Sequence, residues 1–155
     1  MSTPLNRAAQ SCALYGLKAP ILLAPMASAC PASLSIAVAN AGGMGAMGAL
    51  ATPPAGIRAW VEEVRAGTTG PFQLNLWIPD PPARRDGDVE AAMRAFLAGW
   101  GPEVAAAAGD LRLPDFDAQC EIFLTLKPAV VSSIMGVFPE AVVTRLKDRA
   151  TPGQP

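Results

Sequence analysis

The stretch "NAGGMGAMGAL", Asn40 to Leu50, sets Gly43, Gly45 and Gly48 in the spacing G-x-G-x-x-G. That spacing marks a dinucleotide site when a strand leads into it and a helix opens on it, because the pyrophosphate then meets the helix N-terminus. Here the order is inverted. Pro31 suits a first helical turn, and Leu34, Ala37, Val38 and Ala41 recur at helical spacing ahead of the glycines. Gly42 and Gly43 stand where a helix commonly ends in a left-handed residue. "MGAMGAL" then reads as a buried strand thinned by Gly45 and Gly48. No acidic residue follows about twenty positions later in strand context, where ribose binding would want one. Glu62 and Glu63 fall on a helix instead. The glycines are read as a helix stop and as positions of close packing or ligand clearance, not as a dinucleotide grip.

Working outward, "APILLAPM" (Ala19 to Met26) is a short apolar run bounded by prolines, the pattern of a strand buried on both faces. Thr52 and Pro53 suit an N-cap and a first helical turn, and Ile57, Trp60, Val61 and Val64 form a helical stripe. "PFQLNLWIP" (Pro71 to Pro79) reads as a third strand. After a polar, proline-rich stretch from Asp80 to Asp88, Val89, Met93, Phe96, Leu97 and Trp100 make one helical face, with residues 102–109 as its extension. A helix from Asp117 to Leu126 should bury Ile122, Phe123 and Leu126, and "PAVVSSIMG" (Pro128 to Gly136) gives a fourth strand. Pro139 and Glu140 open a last helix through Leu146. Residues 1–18 read as irregular and 150–155 as a divergent tail, which leaves 19–149 as one domain. The βα rhythm implies a parallel sheet with right-handed crossovers. Periodicity alone fits either an open sheet or part of a (β/α)8 barrel.

The chain has 155 residues, of which 51% are hydrophobic and 16% charged, below the roughly 25% charged usual for soluble chains. Its net charge of -1 and lack of a basic block argue against nucleic acid as a partner. Histidine is absent, and Cys12, Cys30 and Cys120 show no C-x-x-C spacing. A Cys/His zinc site and any histidine-dependent triad are therefore excluded, and no metal is expected. Residues 19–57 hold no charged side chain, but Pro20, Pro25, Pro31, Pro53 and Pro54 break the run. No membrane span is expected. The expected setting is cytoplasmic, with reduced thiols.

Taken in order, "PILLAPMA", "LSIAVANAGGMGAMGAL", "TGPFQLNLWIP" and "PAVVSSIMG" resemble the nitronate monooxygenases, once called 2-nitropropane dioxygenases. Members of that family are FMN-dependent (β/α)8-barrel enzymes that oxidise alkyl nitronates with dioxygen to a carbonyl compound and nitrite. Flavin-dependent enoyl-ACP reductases share the "NAGG-G" segment and form the competing family. The resemblance implies an α/β fold: about four βα units, the N-terminal half of a TIM-type barrel. It implies that the turn Ala24, Pro25, Met26, Ala27 lies along the FMN ring, with backbone groups of Pro25 and Met26 nearest. It implies that Asn75 bonds FMN through its amide and that Ser132 or Ser133 lies in the same mouth, at the C-terminal ends of strands where barrel sites form.

The residues also carry structural readings. Asn75 is uncommon in a buried strand and needs a partner, for which a ligand is favoured over a structural bond. The Met26 side chain is expected to fill core space. Ser132 and Ser133 could serve either a ligand or the backbone, and Trp77 is read as packing.

A full barrel needs about 250 residues. The family's catalytic histidine, in a "GGH" segment of the second half, has no counterpart here, and neither do its phosphate-binding loops. No catalytic residue is therefore assigned. The expectation is a truncated chain, inactive alone, whose parent takes a nitronate-like small molecule. Its raw edges at the first and fourth strands invite self-association. A non-catalytic half barrel acting only by association is the other reading.

Overall fold

The computed structural model describes residues 3–81 and 84–150, so the tail at 151–155 lies outside the described residues. In chain order the elements are α1 (Pro4–Tyr15), α2 (Ala32–Asn40), β1 (Gly45–Gly48), α3 (Pro54–Gly67), β2 (Phe72–Trp77), α4 (Gly87–Leu97), a 3-10 turn (Ala106–Asp110), α5 (Phe116–Leu126), β3 (Val130–Ile134) and α6 (Glu140–Ala150). The strands form one sheet in the order β1-β2-β3, with both pairs parallel. Helices separate them, as a (β/α) barrel segment requires.

Strand register fixes which side chains share a face. Met47, Leu74 and Val131 are aligned across the sheet, as are Gly48, Asn75 and Ser132. Since successive residues point to opposite faces, the first row lies on the helix side and the second on the other. On the helix side Met47, Phe72, Leu74 and Leu76 pack with Ile57, Val61 and Val64 of α3 and with Cys120, Ile122, Phe123 and Leu126 of α5. Each large side chain fully buried there contributes about 1.5–3 kcal/mol. The α3 and α5 stripes thus lie where their periodicity puts them.

Three elements differ from the sequence reading. Residues 4–15, read as irregular, form a helix. Thr3 caps it by accepting from the Asn6 N–H at 3.2 Å, Pro4 sits in the first turn, and Gly16 ends it in the left-handed region at φ 67°. Good caps at both ends outweigh a weak apolar stripe that buries nothing. The first expected strand is reduced to two isolated parallel bridges, Leu22 with Met44 and Ala27 with Gly48. Pro20 and Pro25 carry no N–H to donate, and among the described residues the run is bridged only to Met44 and to Gly48 of β1. Ile21 and Leu22 are accordingly exposed, not buried on both faces. The N-cap of α3 is Pro53 without a side-chain bond, so Thr52 does not cap.

The buried face of α2 is also not the expected one. Leu34 and Ala37 are exposed, while Ala32, Ser35 and Ala39 are buried. Small residues face the sheet because β1 comes very close. A Cβ built on Gly45 would lie 2.9 Å from the Ser35 Cβ. The Ser35 hydroxyl donates to the Ala46 carbonyl at 2.9 Å and accepts from the Ala46 N–H at 3.1 Å. At Met44 the same edge of β1 is paired with Ile21 and Leu23. At Ala46, between the two bridges, Ser35 takes the place of a strand neighbour.

The segment Asp80–Leu113 forms a second compact unit. Within it Asp86 caps α4 by accepting from the Asp88 and Val89 N–H groups, and Arg85 pairs with Glu90 and Asp110. The expected apolar face of α4 is not buried: Val89, Met93, Phe96 and Leu97 are exposed, and Trp100 beyond the helix is 79% exposed. Residues 102–109 do not prolong the helix, because the chain turns at Gly99–Gly101 and re-forms only the short 3-10 turn.

Two stability outcomes follow from the packing around β1. Ser35→Ala strands a buried amide and carbonyl, and urea melts should show a loss of about 2 kcal/mol. An unchanged midpoint would mean that water serves Ala46 equally well. Gly48→Ala brings a Cβ to 2.8 Å from the Ala27 backbone nitrogen and should cost about 1–3 kcal/mol. Gly87→Ala, where nothing lies within 4 Å, should be neutral or stabilise by up to about 1 kcal/mol. Thermal melts of the pair distinguish a contact effect from a general glycine effect.

Candidate functional site

Parallel strands bring their C-terminal ends to one side of the sheet, and β1, β2 and β3 do so with Gly48, Trp77 and Ile134. The turn after the first bridging run reaches the same side, since Ala27 is bridged to Gly48. It comes this close because Gly48 has no side chain. A Cβ there would meet the Ala27 nitrogen at 2.8 Å and the Pro25 oxygen at 3.1 Å. The turn is tied down from behind. The Cys30 thiol donates to the Ala24 carbonyl at 3.2 Å, and the Trp60 indole N–H donates to the Cys30 carbonyl at 3.0 Å. Ser28 holds a left-handed φ of 61°, and Met135, beyond β3, holds 64°. Non-glycine residues in that region cost about 1–3 kcal/mol each and concentrate at functional sites.

Between these loops and the non-helix face of the sheet lies a concavity of about 480 Å3, lined among others by Pro25, Ala27, Gly48, Asn75, Trp77 and Ser132. Of the residues singled out from sequence, Pro25, Ala27, Asn75, Ser132 and Ser133 come together on its wall. Ala24 and Met26 stand off it, Ala24 with its carbonyl engaged by Cys30. Met26 is 43% exposed, which corrects its reading as core filler: it lies outside the packed core on the helix side of the sheet. Ser133 donates to the Gly136 carbonyl at 2.8 Å and so serves a local turn. Trp77 is on the wall.

Asn75 is buried and donates through Nδ2 to the Ser132 Oγ at 2.9 Å. Its Oδ1 accepts no hydrogen bond among the described residues. One end of this amide is therefore committed to the protein, and the other is left to the concavity. Two residues that sequence reasoning did not pick out complete the arrangement. Gln73, on the same face as Asn75, donates to the Leu23 carbonyl at 2.9 Å and accepts from the Ser132 hydroxyl at 3.3 Å. Buried Gln119 of α5 donates to the carbonyls of Ala49 and Thr52 at 2.9 and 2.8 Å, pinning the loop after β1. The alternation in "FQLNLW" was the available signal for Gln73, since it sets Gln73, Asn75 and Trp77 apart from Leu74 and Leu76.

Nothing on this wall titrates near neutrality: the lining residues include no Asp, Glu, Lys, Arg or Cys. Burial pushes the Cys120 thiol on the helix side up to about 11, so it offers no thiolate. Among the described residues no group of three or more His, Cys, Asp or Glu could hold a metal ion, and no helix is long and apolar enough to cross a membrane. Two other concavities lie elsewhere. One, lined by Tyr15, Lys18 and Thr68, is at the N-terminal ends of β1 and β2, and the other is between α5, β3 and α6. The C-terminal strand ends are where barrel folds place their chemistry.

Comparison with known proteins agrees with this geometry. The family model for nitronate monooxygenase matches residues 10–152. A nitronate monooxygenase of Paraburkholderia phytofirmans is 36% identical over 141 residues, which cover 86% of this chain and 38% of the relative. A crystal structure of nitroalkane oxidase from Streptomyces ansochromogenes superimposes with a TM-score of 0.69 at 29% identity, over 91% of this chain and 40% of that one. FabK from Thermotoga maritima follows with a TM-score of 0.62 at 25% identity, over 92% of this chain and 35% of that one. The chain thus spans less than half the length of the proteins it matches, and its three-stranded parallel sheet is a partial TIM-type barrel. With a family match over nearly its whole length and the same fold, the chain belongs to the nitronate monooxygenase family.

Proposed function

We propose that this chain forms the flavin-ring wall of an FMN-dependent oxidoreductase that converts alkyl nitronates and dioxygen to a carbonyl compound and nitrite. The observation that carries the reading is Asn75. It is a buried amide near a strand end, on the wall of a concavity that the Pro25–Ala27 turn closes from one side, and its oxygen has no partner among the described residues. Ser132 supports it from the neighbouring strand.

The wall suits the ring system of FMN better than its tail. A flat heteroaromatic ring needs apolar surface and a few placed polar atoms. Pro25, Ala27, Trp77 and Ile134 offer the surface, and Asn75 with Ser132 the polar atoms. A phosphate needs cationic or clustered N–H donors, and no lining residue is cationic. Bound FMN would supply the electron transfer between nitronate and oxygen, which no side chain here can perform. The residues of this chain would orient the ring and keep one of its faces from water.

They would not supply a base. With no histidine in the chain and no carboxylate on the wall, proton abstraction from a neutral nitroalkane has no agent here. The substrate class that fits these residues is the already ionised nitronate.

The uncharged wall gives a direct test. Lumiflavin, which is the ring without the phosphate tail, should bind the purified chain within about threefold of FMN, because no charge-assisted bond to the tail is lost. Fluorescence quenching titrations measure both. FMN binding more than tenfold tighter would reveal a phosphate site on this chain, and no quenching of either flavin would end the ring-wall reading.

A further inference from the structure

We propose that Gln73 is a positioning residue that fixes which end of the Asn75 amide meets the ligand, so that this wall selects a ring edge bearing an N–H. The proposal rests on the flavin-wall reading and adds to it the polarity of recognition.

The argument begins at a group that cannot change its role. The Leu23 carbonyl can only accept, so Gln73 must turn Nε2 toward it, and the two lie 2.9 Å apart. That leaves the Gln73 Oε1 facing Ser132, whose hydroxyl has one hydrogen and donates it there at 3.3 Å. With its hydrogen committed, the Ser132 Oγ has only lone pairs to offer Asn75. The Asn75 Nδ2 therefore lies on that side at 2.9 Å, and its Oδ1 is the atom left to the concavity. An Asn75 flipped about its amide would set Oδ1 against an oxygen with no hydrogen to give, a repulsive contact in a buried place. A backbone carbonyl at residue 23 is thus read out, through two side chains, as an acceptor oxygen at residue 75. Gln73 is 7% exposed and Asn75 9%, so water cannot readily substitute for a missing link.

An acceptor on the wall calls for a donor on the ligand. The oxidised flavin ring has a single ring N–H, the imide N3–H, flanked by two carbonyl oxygens. A ligand edge made only of acceptors is rejected, because it leaves the Asn75 Oδ1 unpaired against another lone pair.

The experiment compares lumiflavin with its N3-methyl derivative on the purified chain, by fluorescence titration. The wild-type chain should bind the N3-methyl compound at least about tenfold more weakly, the loss of one buried hydrogen bond. In Gln73→Leu the Ser132 hydroxyl is released to donate to the Asn75 Oδ1 as well as to accept from its Nδ2, so either end of the amide can face the ligand and the ratio should shrink to within about threefold. Ser132→Ala should shrink it likewise, and it decides the matter alone if Gln73→Leu does not fold. A role confined to packing would weaken both ligands together and leave the ratio unchanged. If the wild-type chain binds both compounds equally, the polarity is wrong and the flavin wall stands. If both variants keep the ratio, Gln73 does not set it. If the wild-type chain binds neither compound, the flavin-wall reading fails and this proposal with it.

Discussion

The Cβ and backbone carbonyl of Ser35 lie where a side chain at residue 45 would have to be, and its hydroxyl bonds both the amide and the carbonyl of Ala46. The missing Cβ lets α2 close on β1, and the hydroxyl replaces a strand partner for one residue. The run at 21–27 can then leave β1 after Leu22 and rejoin it at Ala27. That detour forms the turn carrying Pro25 and Ala27. Were β1 paired continuously, the chain would run straight past, and no loop would overhang the end of the sheet. One buried serine beside one glycine therefore permits the wall of the concavity to exist.

The two strand glycines divide the work by parity. Gly45 and Gly48 are three residues apart and so point to opposite faces of the sheet. Gly45 clears space for α2 on the helix side, and Gly48 clears space for the turn on the other. Gly42, at φ 96°, ends α2 in a region that side chains rarely tolerate. A spacing that mimics a dinucleotide fingerprint is accounted for by three unrelated close approaches, at Gly43 against the Ile21 carbonyl, at Gly45 and at Gly48, with the helix stop at Gly42 just ahead of them.

The legibility of each element in the sequence follows from the kind of signal it carries. The core of α3 was legible because Ile57, Val61 and Val64 are large and their neighbours polar, so the stripe has a phase. That of α2 was not, because the helix is apolar nearly all round and its buried side includes a serine, so periodicity had no contrast to work with. The face of α4 shows the reverse: its stripe is clear, yet those residues are exposed. Periodicity reports a capacity to bury, not the presence of a partner. At the site, Asn75 was visible as a polar residue in a strand. Gln73 stood out only by alternating with Asn75, and Gln119 not at all, because what each does lies in distant carbonyls at 23, 49 and 52 that no local pattern reveals.

The neutral wall has a thermodynamic consequence. With no titratable side chain among its lining residues, occupation by an uncharged ring neither takes up nor releases protons, and no counterions need to be displaced. The binding enthalpy would then be the same in buffers of different ionisation heat, and affinity would change little with ionic strength. Selectivity in such a wall comes entirely from shape and hydrogen-bond direction.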